Sequence, residues 1–172
     1  MIFATVGTHE DPFDRLLVEL DRLKGAGHLD DNVVVQSGYS IFRPQHCVAE
    51  SLMRFPRVQA LMAEARIVIT HGGPASIMQA LAHGKVPIVV PRQSAFGEHV
   101  DDHQVRFARK IADRVVVVLE MRELGAAIRE HTARIATLSG GSFGAERARA
   151  FALRFDALCS GLLSGRDTVE GA

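Results

Sequence analysis

Three short polar segments of the sequence carry side chains that could bind a charged, hydroxyl-rich ligand. They are GTHED at 7–11, THGGPAS at 70–76 and EHVDDHQ at 98–104. In the second segment, Gly72 and Gly73 would expose backbone N–H groups where a helix begins, and Ser76 could add a hydroxyl donor or cap the first turn. The positive end of a helix dipole favours a phosphate or diphosphate at such a place. A strand-to-helix turn without any ligand accounts for the same residues equally well.

The third segment combines carboxylates, imidazoles and an amide. Gln104 offers a donor and an acceptor, as sugar hydroxyls require. The less favoured alternative is a solvated helix start that Asp101 and Asp102 merely cap. His99 and His103 are four residues apart, a spacing that on a helix puts both rings on one face. Neither an HExxH motif nor clustered cysteines supply a third ligand, so we predict no metal site.

The first segment contains His9, for which two interpretations stay open: a catalytic acid or base, and a surface loop residue. The sequence has neither the Gly-x-Gly-x-x-Gly fingerprint of dinucleotide-binding proteins nor the Lys-Ser/Thr ending of a nucleotide P-loop. These absences count against NAD-type ligands and ATP.

Uninterrupted apolar runs around these segments alternate with helical periodicity. The runs predict strands at 1–6, 33–35, 67–70, 88–91 and 115–119. The spacing of apolar residues predicts helices at 12–25, 56–65, 76–83, 100–112, 122–136 and 143–163. Residues 39–53 receive no clear assignment.

This alternation predicts an α/β fold with a doubly wound, Rossmann-like parallel sheet, because continuous apolar strands are typically covered on both faces. We expect one domain over 1–163 and a disordered tail over 164–172. Ligands of such sheets bind beyond the carboxyl ends of the strands. The loops at 7–11, 38–42, 71–76 and 92–104 are therefore the expected site.

Composition narrows the class of protein further. The 172 residues include 20 Lys and Arg against 20 Asp and Glu, so no net charge attracts nucleic acid. Two cysteines are too few for a disulfide framework, which favours a cytoplasmic compartment. No apolar run approaches the ~20 residues of a membrane span.

The stretch THGGPASIMQALAHGKVPIVVPR, followed by FGEHVDDHQ, resembles the donor-binding half of the family 28 glycosyltransferases, which have the GT-B fold. The opening MIFATVGTHEDPFDRLL is similar to the small soluble subunits of split members of that family. Those members include the eukaryotic two-subunit enzyme that adds the second GlcNAc to the dolichol-linked precursor, and bacterial exopolysaccharide enzymes.

The resemblance implies a UDP-sugar donor and gives roles to particular residues. The turn formed by His71, Gly72 and Gly73 would face the donor diphosphate together with Ser76. Gln79 stands where single-chain relatives have a carboxylate for the ribose hydroxyls, and the backbone of Phe55 would read the uracil edge. The other predicted donor-binding residues are Gly7, Thr8, Glu98, His99, Asp102, His103 and Gln104. Arg92 could favour an acidic sugar, although we expect it to be an exposed loop residue.

The resemblance further implies an inverting, UDP-sugar-dependent hexosyltransferase subunit that acts on a lipid-linked glycan in polysaccharide biosynthesis. The length leaves no room for an acceptor-binding half, so we expect a membrane-anchored partner subunit that recruits this cytoplasmic chain to the inner face of the membrane. His9 is the candidate catalytic base unless the partner supplies it. No cofactor or metal is expected, since an Asp-x-Asp motif is absent. The alternatives are a non-catalytic nucleotide-sugar-binding or regulatory module and, less favoured, a sugar-nucleotide epimerase.

Overall fold

The computed structural model describes residues 1–138, so the predicted helix at 143–163 and tail at 164–172 lie outside the described residues. The strands are β1 (Ile2–Thr5), β2 (Val33–Gln36), β3 (Val48–Glu50), β4 (Ile67–His71), β5 (Ile88–Val90) and β6 (Val116–Val117). The helices are α1 (Asp14–Gly25), α2 (Phe55–Glu64), α3 (Pro74–Ala82), α4 (His103–Lys110), α5 (Leu124–Arg129) and α6 (His131–Thr137). Short 3-10 turns occupy Ser94–Phe96 and Met121–Glu123.

The strands of this part of the chain form one parallel sheet in the order β3-β2-β1-β4-β5-β6. The first strand is central, and the winding direction reverses between β1 and β4. Thr5 pairs with Gln36 on one side and with Thr70 on the other, so β1 and its two neighbours end at the same level. The loops after β1 and β4 therefore leave the sheet side by side at the switch point, where ligands of such folds bind. The predicted doubly wound, Rossmann-like architecture is confirmed.

Helices cover both faces of the sheet, which explains why its central strands are apolar throughout. Ile2 and Ala4 are fully buried in a cluster with residues of α1 and α5. Phe3, between them, is fully buried on the opposite face, in a cluster with Val68 of β4 and residues of α2 and α3. Each central strand thus contributes alternate side chains to two separate core layers.

Strand β3 was not predicted, and its exposure is the reason. All three residues of this edge strand are exposed, so they leave no apolar run in the sequence. The approach to β3 is held instead by Asp21 of α1, whose Oδ1 accepts hydrogen bonds from the backbone N–H groups of Gln45 (2.9 Å) and His46 (2.6 Å).

Two helix predictions were wrong in their boundaries. The stretch 122–136 is two helices that meet at Glu130, not one. Helix α4 begins at His103 instead of residue 100, because the Asp101 carboxylate accepts the His103 backbone N–H at 3.0 Å and closes a turn there. Among residues 1–138, no helix has the length and apolar character needed to cross a bilayer.

Candidate functional site

The imidazole of His71 lies at the switch point, between the loop after β1 and the loop after β4. Gly7 has a positive φ of 77°, and a Cβ placed on it would lie 2.6 Å from His71 Cε1. A Cβ on Gly73 would also meet the His71 ring. Gly7 is therefore restricted to glycine, and any side chain at Gly73 would have to displace the His71 ring, which lies between the two backbones.

His71 is held in its neutral form. Burial, followed by the positive charge of Arg92, lowers the pKa of this imidazole to about 4. Its Nδ1 is buried and has no hydrogen-bond partner among the described residues. The site thus has an uncharged aromatic floor, which does not compete with a ligand for the donors around it.

Helix α3 begins immediately above this floor. Gly73 is its N-cap residue and makes no side-chain capping bond, and Pro74 occupies the first turn. The first backbone N–H groups of any α-helix have no partner within the helix, and here no cap side chain at Gly73 takes one of them. Ser76, partly buried, lies in that first turn, and Gln79 follows in the second. This helix start can donate several hydrogen bonds to an anion.

The loop after β5 packs directly against the loop after β4. A Cβ placed on Gly72 would lie 2.7 Å from the Cβ of Gln104 and 3.0 Å from that of Pro91. The side-chain Oε1 of Gln104, itself buried, accepts the backbone N–H of Arg92 at 3.2 Å. Gln104 therefore connects the loop after β4, which it contacts at Gly72, with the loop after β5, where it binds the Arg92 backbone.

His9 of the first loop comes together with His99 and His103, which lie far from it in sequence, beside this junction. The ring centroids of His9 and His99 lie 4.6 Å apart, and those of His99 and His103 lie 4.5 Å apart with an edge-on geometry. Burial, followed by the charge of His103, lowers the pKa of His99. Hydrogen bonds from His103, first from its backbone N–H and then from its side chain, lower the pKa of Asp101 to about 2. His9 Nδ1 accepts the Asp11 backbone N–H at 3.2 Å, which fixes its ring.

Two predicted sugar-contacting carboxylates are engaged within the protein. Glu98 is buried, and its oxygens accept hydrogen bonds from Arg15 Nε at 2.8 Å, from Arg15 Nη2 at 2.9 Å and from the Gln93 backbone at 3.0 Å. Asp102 Oδ1 accepts the backbone N–H of Ser94 at 2.8 Å and its hydroxyl at 3.0 Å. Both carboxylates hold the loop at 92–104 in its shape.

Arg92 is the residue whose role the sequence did not reveal. We expected an exposed loop side chain, which is wrong, because Arg92 is fully buried. Its Nη1 donates to the carbonyls of Asp11 (2.7 Å), Pro12 (3.4 Å) and Glu98 (3.0 Å), and its Nη2 donates to that of Val6 (3.0 Å). One side chain thereby fastens the loop after β1 to the loop after β5. The sequence feature that could have indicated this role is the position of Arg92, which directly follows an apolar strand at the carboxyl edge of the sheet.

Two further predicted residues stand at the same edge of the sheet but are open to solvent. Thr8 is exposed in the loop after β1, and Phe55 begins α2 with 63% of its surface exposed. Other large apolar side chains exposed in the carboxyl-edge loops are Tyr39, Ile41, Leu52, Phe96 and Val100.

The six-stranded doubly wound sheet, whose switch-point loops surround a helix start that no side chain caps, defines an α/β domain of the Rossmann-like class. The family comparison agrees: the glycosyltransferase family 28 C-terminal domain matches residues 1–151, and the chain belongs to that family. Comparison with curated protein sequences gives no match.

Solved structures of glycosyltransferases show the same fold. CalG4, the calicheamicin glycosyltransferase, is similar with a TM-score of 0.62 and 18% identity over 99% of this chain. SnogD from Streptomyces nogalater has a TM-score of 0.56 and 21% identity over 91% of this chain. MurG from Acinetobacter baumannii has a TM-score of 0.53 and 18% identity over 86% of this chain. The match covers 43% of each of those three chains, so this chain spans less than half their length.

Proposed function

We propose that the chain is the donor-binding part of a UDP-sugar-dependent, inverting glycosyltransferase that transfers a hexose to a lipid-linked glycan. The observation that carries this proposal is the convergence of three loops on the uncapped start of α3, in a domain of glycosyltransferase family 28. The formal net charge of zero supports an anion site built from local donors instead of a basic surface.

The proposed role of the α3 start is to bind the donor diphosphate. Backbone N–H groups from Gly72 onward and the Ser76 hydroxyl would donate to its oxygens, each charge-assisted bond contributing about 1.5–3 kcal/mol. The same donors would stabilise the charge that develops on UDP as it leaves. The acceptor hydroxyl would attack the anomeric carbon from the opposite face, which inverts that centre. A base takes the hydroxyl proton as the new bond forms.

The proposed sugar-facing groups are His99, His103 and Gln104, while Glu98 and Asp102 act by shaping the loop that carries them. His9 is the candidate base in this chain, since its ring packs against His99 at the same edge. Alternatively, a partner subunit supplies the base. The transfer assay with a candidate partner, described below, tests this alternative.

Isothermal titration of the purified chain tests the donor. We expect UDP and UDP-sugars to bind at least about tenfold more tightly than AMP or NAD, a difference of about 1.4 kcal/mol. Binding of UDP no tighter than that of AMP would refute the proposal. Ser76→Ala should weaken UDP binding several-fold, whereas Thr132→Ala, which removes an exposed hydroxyl from the first turn of α6, should not.

We further propose a membrane-anchored acceptor-binding partner that holds this cytoplasmic chain at the inner face of the membrane. Supporting it are the exposed apolar side chains that the carboxyl-edge loops present around the site, such as Ile41 at 73% and Val100 at 86% exposure. Co-purification with a candidate partner, followed by a donor screen for sugar transfer, tests this. Tight UDP-sugar binding without transfer in the presence of the partner would favour a non-catalytic binding module instead.

A further inference from the structure

Three side chains at the start of α4 are arranged as a set of metal ligands. His99, Asp101 and His103 each offer one ligand atom, and these atoms all lie within 4.8 Å of one another. The sequence showed two histidines without a third ligand. The structure supplies one, because the turn that precedes α4 brings Asp101 close to both rings, with its Oδ1 3.8 Å from His99 Nδ1 and 2.5 Å from His103 Nδ1.

His99 provides an independent reason to place a ligand here. Its side chain is 11% exposed, and its Nδ1 is buried without a hydrogen-bond partner among residues 1–138. A buried nitrogen left unpaired is costly, and such atoms in a folded protein call for a ligand or another explanation. This Nδ1 faces the cluster: it lies 3.8 Å from Asp101 Oδ1, which is too far for a hydrogen bond.

The remaining groups around Asp101 hold its carboxylate in place. Its Oδ1 accepts the His103 backbone N–H at 3.0 Å, and its Oδ2 accepts a bond from Arg106 Nη2 at 3.1 Å. Outer hydrogen bonds of this kind orient metal ligands and raise affinity. Two imidazoles and one carboxylate suit Zn²⁺ and related divalent transition metals, and three protein ligands leave one position for water or a ligand oxygen.

We propose that His99, Asp101 and His103 bind one divalent transition-metal ion of the Zn²⁺ class, and that this ion competes with the donor sugar. The metal-binding part of this proposal depends only on the cluster. The competition part rests on the proposed function, because it requires that the same loop contacts the sugar. The ion is then an inhibitor that replaces the Asp101–His103 hydrogen bond with metal bonds of about 2.0–2.2 Å and binds two imidazoles that are proposed to face the sugar. It is not a cofactor of the transfer reaction.

Metal titration of the full chain, stripped with EDTA, tests the site. We expect Co²⁺ to give the visible absorption of a nitrogen- and oxygen-ligated ion, and Zn²⁺ to displace it. His99→Asn, Asp101→Asn and His103→Asn should each weaken Zn²⁺ binding by at least about tenfold. His28→Asn, which removes an exposed histidine after α1, is the matched control and should bind as the parent does. Circular dichroism confirms that each variant is folded. Folded variants that bind Zn²⁺ as tightly as the parent would overturn the site.

A second titration separates this inference from the proposed function. With Zn²⁺ present, the Kd for a UDP-sugar should rise at least about tenfold, while the Kd for UDP, which has no sugar, should change less than about twofold. An unchanged Kd for the UDP-sugar would overturn the competition and leave the metal site standing. Absence of UDP binding in EDTA would instead refute the proposed function, and the Co²⁺ spectrum would still decide the metal site.

Discussion

The imidazole of His71, a partly buried residue, should make the stability of this domain fall as the pH is lowered through the range 6.5 to 4. Its folded-state pKa is about 4, against 6.5 for an unperturbed histidine. Because the folded value is the lower one, the unfolded chain takes up the proton first as the pH falls. Stability is then fully present above 6.5, is lost progressively down to about 4, and levels off below that.

The magnitude follows from the same two values. The full shift corresponds to about 3 kcal/mol, and between pH 7.5 and 5.0 the loss due to His71 should be about 2 kcal/mol. Urea unfolding at both pH values measures it, with the free energy of unfolding compared between the parent and His71→Gln, which cannot take up the proton. Other groups, such as His131, whose pKa is lowered by burial, contribute to both proteins and cancel in that difference.

The parent should therefore lose about 2 kcal/mol more than His71→Gln on going from pH 7.5 to 5.0. His28→Gln, at an exposed position, is the matched control and should retain the loss shown by the parent. Equal losses in the parent and in His71→Gln would refute the reasoning, since they would mean that the His71 ring is open to water or already protonated in the folded state.

Two further changes test the core and the loop that carries the site. Phe3→Ala should lower the free energy of unfolding by about 3–5 kcal/mol because the ring is fully buried. Phe55→Ala, at an exposed position, should change it by less than about 0.5 kcal/mol. Urea unfolding measures both, and similar values for the two variants would contradict the assigned core. Arg15→Ala should cost about 3–5 kcal/mol because it removes an ion pair and two hydrogen bonds from the buried Glu98 carboxylate. The double variant with Glu98→Ala should cost less than the sum of the two single changes, and strict additivity in that cycle would argue against the pair.

The sheet was predictable from the sequence to the extent that its strands are buried. Strands β1, β2, β4 and β5 are apolar runs bounded by turns, because helices cover both of their faces. Strand β3 is exposed at the edge and leaves no such run. The break between α5 and α6 at Glu130 was also missed, since no proline or glycine marks it.

The positions of the site loops were predictable for a topological reason, whereas the contacts within them were not. Parallel strands place their following loops at one edge, so polar segments after β1, β4 and β5 had to converge. The packing of His9 on His99 joins residues 90 positions apart and has no counterpart in local sequence pattern. The burial of Arg92 escaped prediction because its partners are backbone carbonyls, which every residue type provides.

The pairing of β1 with β4 also dictates when the site can form. Ile2 pairs with Ile67, so the central contact of the sheet closes a loop of 65 residues. Non-local contacts of this kind are slow steps in folding, because the entropy of loop closure is spent before the contact forms. The same event brings Gly7 against His71 and sets the start of α3 beside the first loop. The ligand site therefore cannot form before β1 pairs with β4. In refolding experiments, ligand binding should recover together with the slow phase in which the sheet is completed.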